Sequence, residues 1–445
     1  MFTHLLDDAA LAFENDRPEG RSRDLCRRDA AVFLHQANST PVAFTMAGME
    51  GVWAEDADGR RFMDFQGNTC HNIGFRHPRL IKALKEQLDV LPFASRRFTS
   101  EVAVAFAEKL CALWPYGPAK VLLGLSGSDA VEMALKLAYV ATGRTRTLAF
   151  ADSWHGAGLG AVWAGGRSAE RAGYPEFAGC HHVRPYWDTP RETTQSVADI
   201  ERAARLSLDD IARRLDKTGG FAALIAEPVK SAPCVPPAWF WPEVRALCDA
   251  NGTLLIFDEI PGGLGKTGKM FASEHFAAAP DMTVLGKSLG GAAVGVSAVI
   301  ARAGLDVAGH MAIGHYTHQK NPLLARAGLE TLAIIGDENL VARAAGLGPW
   351  YREELARAVA GHPYFATATG IGFLAGVELS PLACPPEQRG YLLKALQLEA
   401  LRLGVNAGTA LGRFLSFSPP LVATPDELAR SVEIVDRLRR FPHGA

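Results

Sequence analysis

The 445-residue sequence predicts an α/β fold. A large domain surrounds a mostly parallel sheet with helices on both faces, and a smaller α+β domain is built from the two chain ends. Three observations lead there. Short apolar runs recur through the middle of the chain, at KVLLGL, TLAFAD, AALIAEP, TLLIFDE and MTVLGK. Stretches with helical spacing separate them, such as WPEVRALCDANG. Runs that are apolar throughout belong in sheets buried on both sides, and alternation with helices gives parallel connections. A composition of 48% hydrophobic and 21% charged residues is enough for a large core.

Residues 1–40 are charged and mixed, and read as a helical or irregular lead-in. From Gly51, GVWAEDADGRRFMDF alternates around an Asp-Gly turn, a hairpin signal. HPRLIKALKEQLDVL and EVAVAFAEKLCALW carry apolar residues at helical spacing. DAVEMALKLAYVATG is a helix stopped by its glycine. After Pro322, LLARAGLETLAII is helical, FLAGVEL and FLSFSPPL read as strands, and TPDELARSVEIVDRLRRF is a capped helix. No internal repeat or low-complexity linker interrupts the chain. The expected division is 1–70 for the N-terminal part of the small domain, 71–324 for the large domain and 325–445 for the rest of the small one.

The balance of 46 basic against 48 acidic side chains, a net charge of −2, gives no electrostatic reason to expect nucleic acid or a membrane as partner. The seven cysteines are scattered and form no C-x-x-C pair, so neither a disulfide framework nor a metal site is expected, and a cytoplasmic location is. The first residues are acidic where a signal peptide is basic. No apolar stretch reaches the roughly 18 residues of a spanning helix.

Four places gather functional residue types at strand exits, where open α/β sheets bind ligands. Ser126-Gly127-Ser128 leads from a strand into a helix, whose first N–H groups suit a phosphate. The same pattern suits an ordinary serine N-cap. Trp154-His155-Gly156 follows TLAFAD, and its indole could lie on a planar ring or pack in the core. Asp258 and Glu259 close an apolar strand, where a buried carboxylate needs a cation, either a ring nitrogen or a structural ion pair. Lys287 ends another apolar strand, where desolvation lowers an amine's pKa as Schiff-base chemistry requires.

Read together, these motifs resemble the class-III aminotransferase family, pyridoxal 5′-phosphate (PLP) enzymes of fold type I, over nearly the whole chain. The matching residues are Ser126-Gly127-Ser128, Trp154-His155-Gly156, Glu227-Pro228, Asp258-Glu259, Lys287, and Thr317 ahead of Asn321-Pro322. The resemblance implies a seven-stranded sheet in the large, PLP-binding domain and a homodimer with the active site at its interface. It implies that Lys287 carries the cofactor as a Schiff base and moves protons, and that Asp258 keeps the pyridine nitrogen protonated. Trp154 then stacks on the ring, with His155 and Glu227 beside the cofactor. Gly127 and Ser128 hold the phosphate together with Thr317 of a second copy.

Three departures from the family pattern bear on the reaction. Pro261 stands where relatives carry a glutamine that contacts the ring hydroxyl. Ser416, in Leu415-Ser416-Phe417-Ser418-Pro419-Pro420, stands where many carry an arginine that grips a substrate carboxylate. GHYTHQKNP places Lys320 beside the expected phosphate threonine and, with Arg96 and Arg97, suggests a cationic substrate site suited to a phosphonate. DEIPxxLGxTG with GHYTHxK resembles a lyase subgroup of the family acting on a small hydroxylated aminophosphonate. The expected activity is therefore an ammonia-lyase working by proton abstraction and elimination. The alternatives are an ω-amine transaminase using a keto-acid acceptor and a non-catalytic binding protein of the same fold.

Overall fold

The computed structural model describes residues 20–34, 36, 45–177, 179–217 and 220–442. Of the expected lead-in, residues 1–19, 35 and 37–40 lie outside the described residues, and the remainder includes a helix, α1 (Arg21–Val32). Strands β1 (Gly48–Glu50), β2 (Trp53–Glu55) and β3 (Arg61–Asp64) follow, with β2 and β3 forming the antiparallel hairpin that the Asp-Gly turn predicts. Helices α2 (Pro78–Val90) and α3 (Glu101–Leu113) lead into β4 (Ala119–Gly124). Helix α4 (Gly127–Thr142) comes next, then β5 (Thr147–Phe150), β6 (Cys180–Val183), β7 (Ala223–Ala226), β8 (Leu254–Asp258), β9 (Met282–Leu285) and β10 (Ser297–Arg302).

Strands β4 to β10 form one seven-stranded sheet in the order β4-β10-β9-β8-β7-β5-β6. Strand β10 runs antiparallel to both its neighbours, while every other pairing is parallel. The C-terminal ends of β4, β5, β7, β8 and β9 therefore lie along one edge. The residues that follow them are Ser126, Trp154, Glu227, Glu259 and Lys287 in turn. Helix α4 packs alanines, among them Ala130, Ala134 and Ala138, on one sheet face against Ile256, Val284 and Val299. Aromatic side chains fill the opposite face, with Trp241 edge-on to Phe257 at 4.8 Å between centroids.

Two four-stranded sheets complete the structure. One is β1-β2-β3 extended by β13 (Val405–Asn406), which lies parallel to β3 and so joins the two chain ends. The other contains β11 (Phe365–Ile371), β12 (Leu374–Leu379), β15 (Phe414–Phe417) and β14 (Gly408–Ala410), in that spatial order. The last helix, Pro425–Arg437, starts with a reciprocal capping box between Thr424 and Glu427. Among the described residues, no helix is long and apolar enough to cross a membrane.

Candidate active site

The exits of β8 and β9 set the centre of the site. Lys287 opens a single 3₁₀ turn with φ of 45°, a left-handed conformation that costs a lysine about 1–3 kcal/mol. The glycines that follow, Gly290 and Gly291, let that turn pack closely. Lys287 is half-buried, and among the described residues its amine makes no hydrogen bond or ion pair. Burial lowers its pKa from 10.5, and the nearby Lys230 adds to this. Glu227, Asp258 and Cys70 oppose the shift without cancelling it. An unpaired amine with a lowered pKa is the form in which a lysine is nucleophilic and basic.

Asp258 is buried beside it. One carboxylate oxygen takes the Nδ1 side of His155 at 2.7 Å, and the other accepts the Ile260 N–H at 3.1 Å. Each oxygen keeps a lone pair for a further donor. Nε2 of His155 is buried with no partner among the described residues. Glu259, the second acid of the pair, turns the other way. It accepts the N–H groups of Ala272 and Ser273 at 2.6 and 2.7 Å, and burial pushes its carboxyl up to about 7. Its role is to hold the next turn.

At the start of α4, Ser126 is the N-cap. Its hydroxyl accepts the Asp129 N–H at 3.1 Å, and the Asp129 carboxylate accepts the Ser126 N–H at 3.0 Å. The ordinary cap reading is thus right for Ser126, and worth about 1 kcal/mol. The N–H groups of Gly127 and Ser128 remain without an acceptor among the described residues. The Ser128 hydroxyl accepts the Ala157 N–H at 2.9 Å and keeps its own proton to donate. The cradle is tight: a Cβ on Gly127 would lie 2.7 Å from Ile260, and one on Gly156 would lie 2.8 Å from the Ser128 hydroxyl. Trp154 is 38% exposed.

A cavity of about 970 Å³ opens from Lys287. Its wall includes Lys230, Ser231, Asp152, Arg167, Arg191, Lys394 and Ser416. Gly127, Ser128 and Trp154 are not part of that wall. Glu227 and Lys230 form a buried ion pair at 2.5 Å, and Glu227 also accepts the Ser231 N–H at 2.9 Å. Burial pushes Glu227 up, but the charge and hydrogen bond of Lys230, with the Ser231 N–H, outweigh it and hold the carboxyl at about 2. Arg96, Arg97, Thr317 and Lys320 do not line this cavity. Arg96 is half-buried and the other three are exposed. Sequence reasoning missed Lys230, Arg167, Arg191 and Lys394. Only Lys230 had a local signal, its three-residue offset from Glu227 across a proline.

These residues fit PLP. The site offers an unpaired amine, a buried carboxylate with lone pairs to spare, two free N–H groups at a helix start and a part-exposed indole. Together with the sheet they define a PLP-dependent enzyme of fold type I. The chain belongs to the class-III aminotransferase family, whose family model matches residues 34–438. It is 32% identical over 431 residues to the (R)-1-hydroxy-2-aminoethylphosphonate ammonia-lyase of Vibrio splendidus, covering 93% of this chain and 89% of that one. It is also 32% identical over 407 residues to the alanine/serine racemase of Pyrococcus horikoshii, covering 87% and 84%. Among solved structures it resembles an amine transaminase from an uncultivated Pseudomonas species, determined with PLP bound. That match has a TM-score of 0.82 at 28% identity, over 91% of this chain and 97% of that one.

Proposed function

We propose that this enzyme is an ammonia-lyase for a small amine that bears a hydroxyl on the neighbouring carbon and an anionic group beyond it. Its substrate is then (R)-1-hydroxy-2-aminoethylphosphonate, and its products are phosphonoacetaldehyde and ammonia. The observation that carries the reading is an intact Lys287–Asp258 centre facing a cavity in which residue 416 is serine. A transaminase must seat a keto acid to finish its cycle, and a serine hydroxyl does not replace the two-pronged grip of arginine on a carboxylate. The relative of Vibrio splendidus supports the same reading.

Gly127 and Ser128 would hold the phosphate of PLP, Asp258 would accept a hydrogen bond from the protonated ring nitrogen, and Trp154 would cover a ring face. His155 keeps Asp258 in place. The bound cofactor supplies an electron sink for negative charge at the amine-bearing carbon. Lys287, with its lowered pKa, takes the proton from that carbon. Lys230, held on the same wall by Glu227, gives a proton to the oxygen leaving the neighbouring carbon. That oxygen departs as water, and one water is taken up again when nitrogen is released, so substrate equals aldehyde plus ammonia atom for atom. No acceptor or redox partner enters.

The exposed apolar side chains Leu88, Val90, Leu91, Phe93 and Phe98 adjoin Arg96 and Arg97 in the chain. We propose that a second copy covers them, and that each copy lends Thr317, and with it Arg96, Arg97 or Lys320, to its neighbour's site. A dimeric mass by light scattering supports this, and a monomeric mass refutes it. For the reaction, ammonia release from the hydroxylated aminophosphonate without added keto acid is the test. A strict need for pyruvate or 2-oxoglutarate would establish the transaminase instead.

A further inference from the structure

With serine at 416, the cavity lacks the family's carboxylate-gripping arginine, yet it holds ample positive charge. We infer that Arg191, assisted by Lys394, seats the distal dianionic group of the substrate, a phosphonate or an equivalent tetrahedral oxyanion. This inference rests on the lyase reading for the identity of the substrate and names the part of the site that selects it.

The ionic side chains of the cavity wall are Asp152, Arg167, Arg191, Lys230, Lys287 and Lys394. Arg167 is shared between Asp152 at 3.7 Å and Glu170 at 3.2 Å. Lys230 is committed to Glu227, and Lys287 is the cofactor lysine. Two cations remain. Among the described residues, Lys394 donates only to the neutral side chain of Gln397, at 2.9 Å. The Arg191 guanidinium has no acidic partner among the described residues. Two free cations match the two charges of a phosphonate. A planar fork beside a point charge suits three oxygens around phosphorus.

The loop that carries Arg191 is built to hold it. The Arg413 guanidinium donates to Thr189 Oγ1 at 2.9 Å, to the Pro190 carbonyl at 3.0 Å and to the Thr193 carbonyl at 2.9 Å. Arg413 is itself paired with buried Glu378, whose carboxylate also accepts the Gln195 N–H at 3.1 Å. The Arg191 carbonyl accepts from Arg389. Backbone on both sides of Arg191 is therefore fixed, while its side chain is left on the cavity wall. A fixed backbone reduces the ordering cost of binding. Lys394 is half-buried on helix Arg389–Arg402, and burial lowers its pKa, a shift that an arriving anion would oppose. Because Gly127 and Ser128 lie outside this cavity, the seat is distinct from the phosphate cradle.

The test is calorimetric titration of the PLP-loaded enzyme with 2-hydroxyethylphosphonate, which lacks an amine and cannot react. Its control is 2-hydroxyethanesulfonate, similar in shape but with a single charge. The wild type should prefer the phosphonate. Arg191→Gln should weaken phosphonate binding by about 10- to 100-fold, as loss of a charge-assisted hydrogen-bonded contact does. Arg191→Lys should recover part of that loss, and Lys394→Met should lose about 10-fold. In turnover, Arg191→Gln should raise KM with little change in kcat. Phosphonate affinity unchanged in Arg191→Gln, or no measurable phosphonate binding by the wild type, overturns the seat. Should the enzyme release no ammonia while Arg191→Gln still loses the phosphonate, the lyase reading fails and the seat stands. If ammonia is released and neither Arg191→Gln nor Lys394→Met alters affinity, the seat fails and the lyase reading stands.

Discussion

Replacing Lys230 by methionine removes one charge of a buried pair and leaves the Glu227 carboxylate with only the Ser231 N–H among its hydrogen-bond donors in the described residues. The structure sets the size of the effect. Glu227 is held at about 2 against an ordinary 4.5, and at about 1.4 kcal/mol per pH unit the difference is about 3 kcal/mol. Breaking a buried ion pair by removing one partner costs a similar amount, about 3–5 kcal/mol. Because the folded pKa is depressed, this stabilisation is complete above 4.5 and drains from the wild type as pH falls through about 2. In Lys230→Met the lone carboxylate is penalised most at neutral pH and less as acid lets it take a proton. Unfolding entropy of about 2.1 cal/mol/K per residue over 445 residues gives about 0.9 kcal/mol per degree. Tm should therefore fall by about 3 °C at neutral pH, and by less near pH 5. Adding Glu227→Gln should restore most of the loss, since no buried charge is then unpaired. An unchanged Tm at neutral pH, or a double variant as unstable as the single one, refutes the reasoning.

Other expectations follow from the same geometry. Lys287→Ala should lower turnover by at least about a thousandfold and abolish the visible absorbance of the lysine-linked cofactor; retention of that band would show that another amine carries PLP. Because burial lowers Lys287 below 10.5, its neutral form prevails at lower pH than in a free lysine. Re-attachment of PLP to the apoenzyme should speed up as pH rises and level off below 10.5, and a midpoint at or above that value contradicts the assignment. His155→Ala frees Asp258 from its 2.7 Å contact and should weaken PLP binding by about tenfold, read by cofactor titration; unchanged affinity would make His155 incidental. Gly127→Ala puts a Cβ 2.7 Å from Ile260 and should impair PLP binding more than the fold, so a normal PLP titration refutes the cradle.

How much of this was legible depended on whether the signal was local. Strands such as Leu254–Asp258 and Met282–Leu285 are buried along their whole length, so their apolar runs stand out, and the acid and lysine at their exits stand out with them. Strand Cys180–Val183 is mostly half-buried and reads CHHV, with no run to find. Strand Ser297–Arg302 is fully buried apart from its last residue, but its antiparallel place between β4 and β9 depends on partners far along the chain. The site divides the same way. Lys287 and Asp258 announce themselves by sitting at the ends of apolar strands. Arg191 lies in a loop and Lys394 on a helix, and only the packing of loop 189–195 against Arg413 and Glu378 brings Arg191 to the cavity. The short linear cues Arg96-Arg97 and Lys320 point to cationic chemistry, but none of the three lines the cavity.

The central claim is that Lys287 works opposite a site that finishes its cycle without an amino acceptor. Counting products in the absence of any keto acid tests it most directly. Incubated with (R)-1-hydroxy-2-aminoethylphosphonate alone, the enzyme should release ammonia and phosphonoacetaldehyde in equal amounts, far exceeding the number of active sites. A product yield that stops at one aldehyde per site, with the nitrogen retained on the enzyme until pyruvate or 2-oxoglutarate is added, would contradict it.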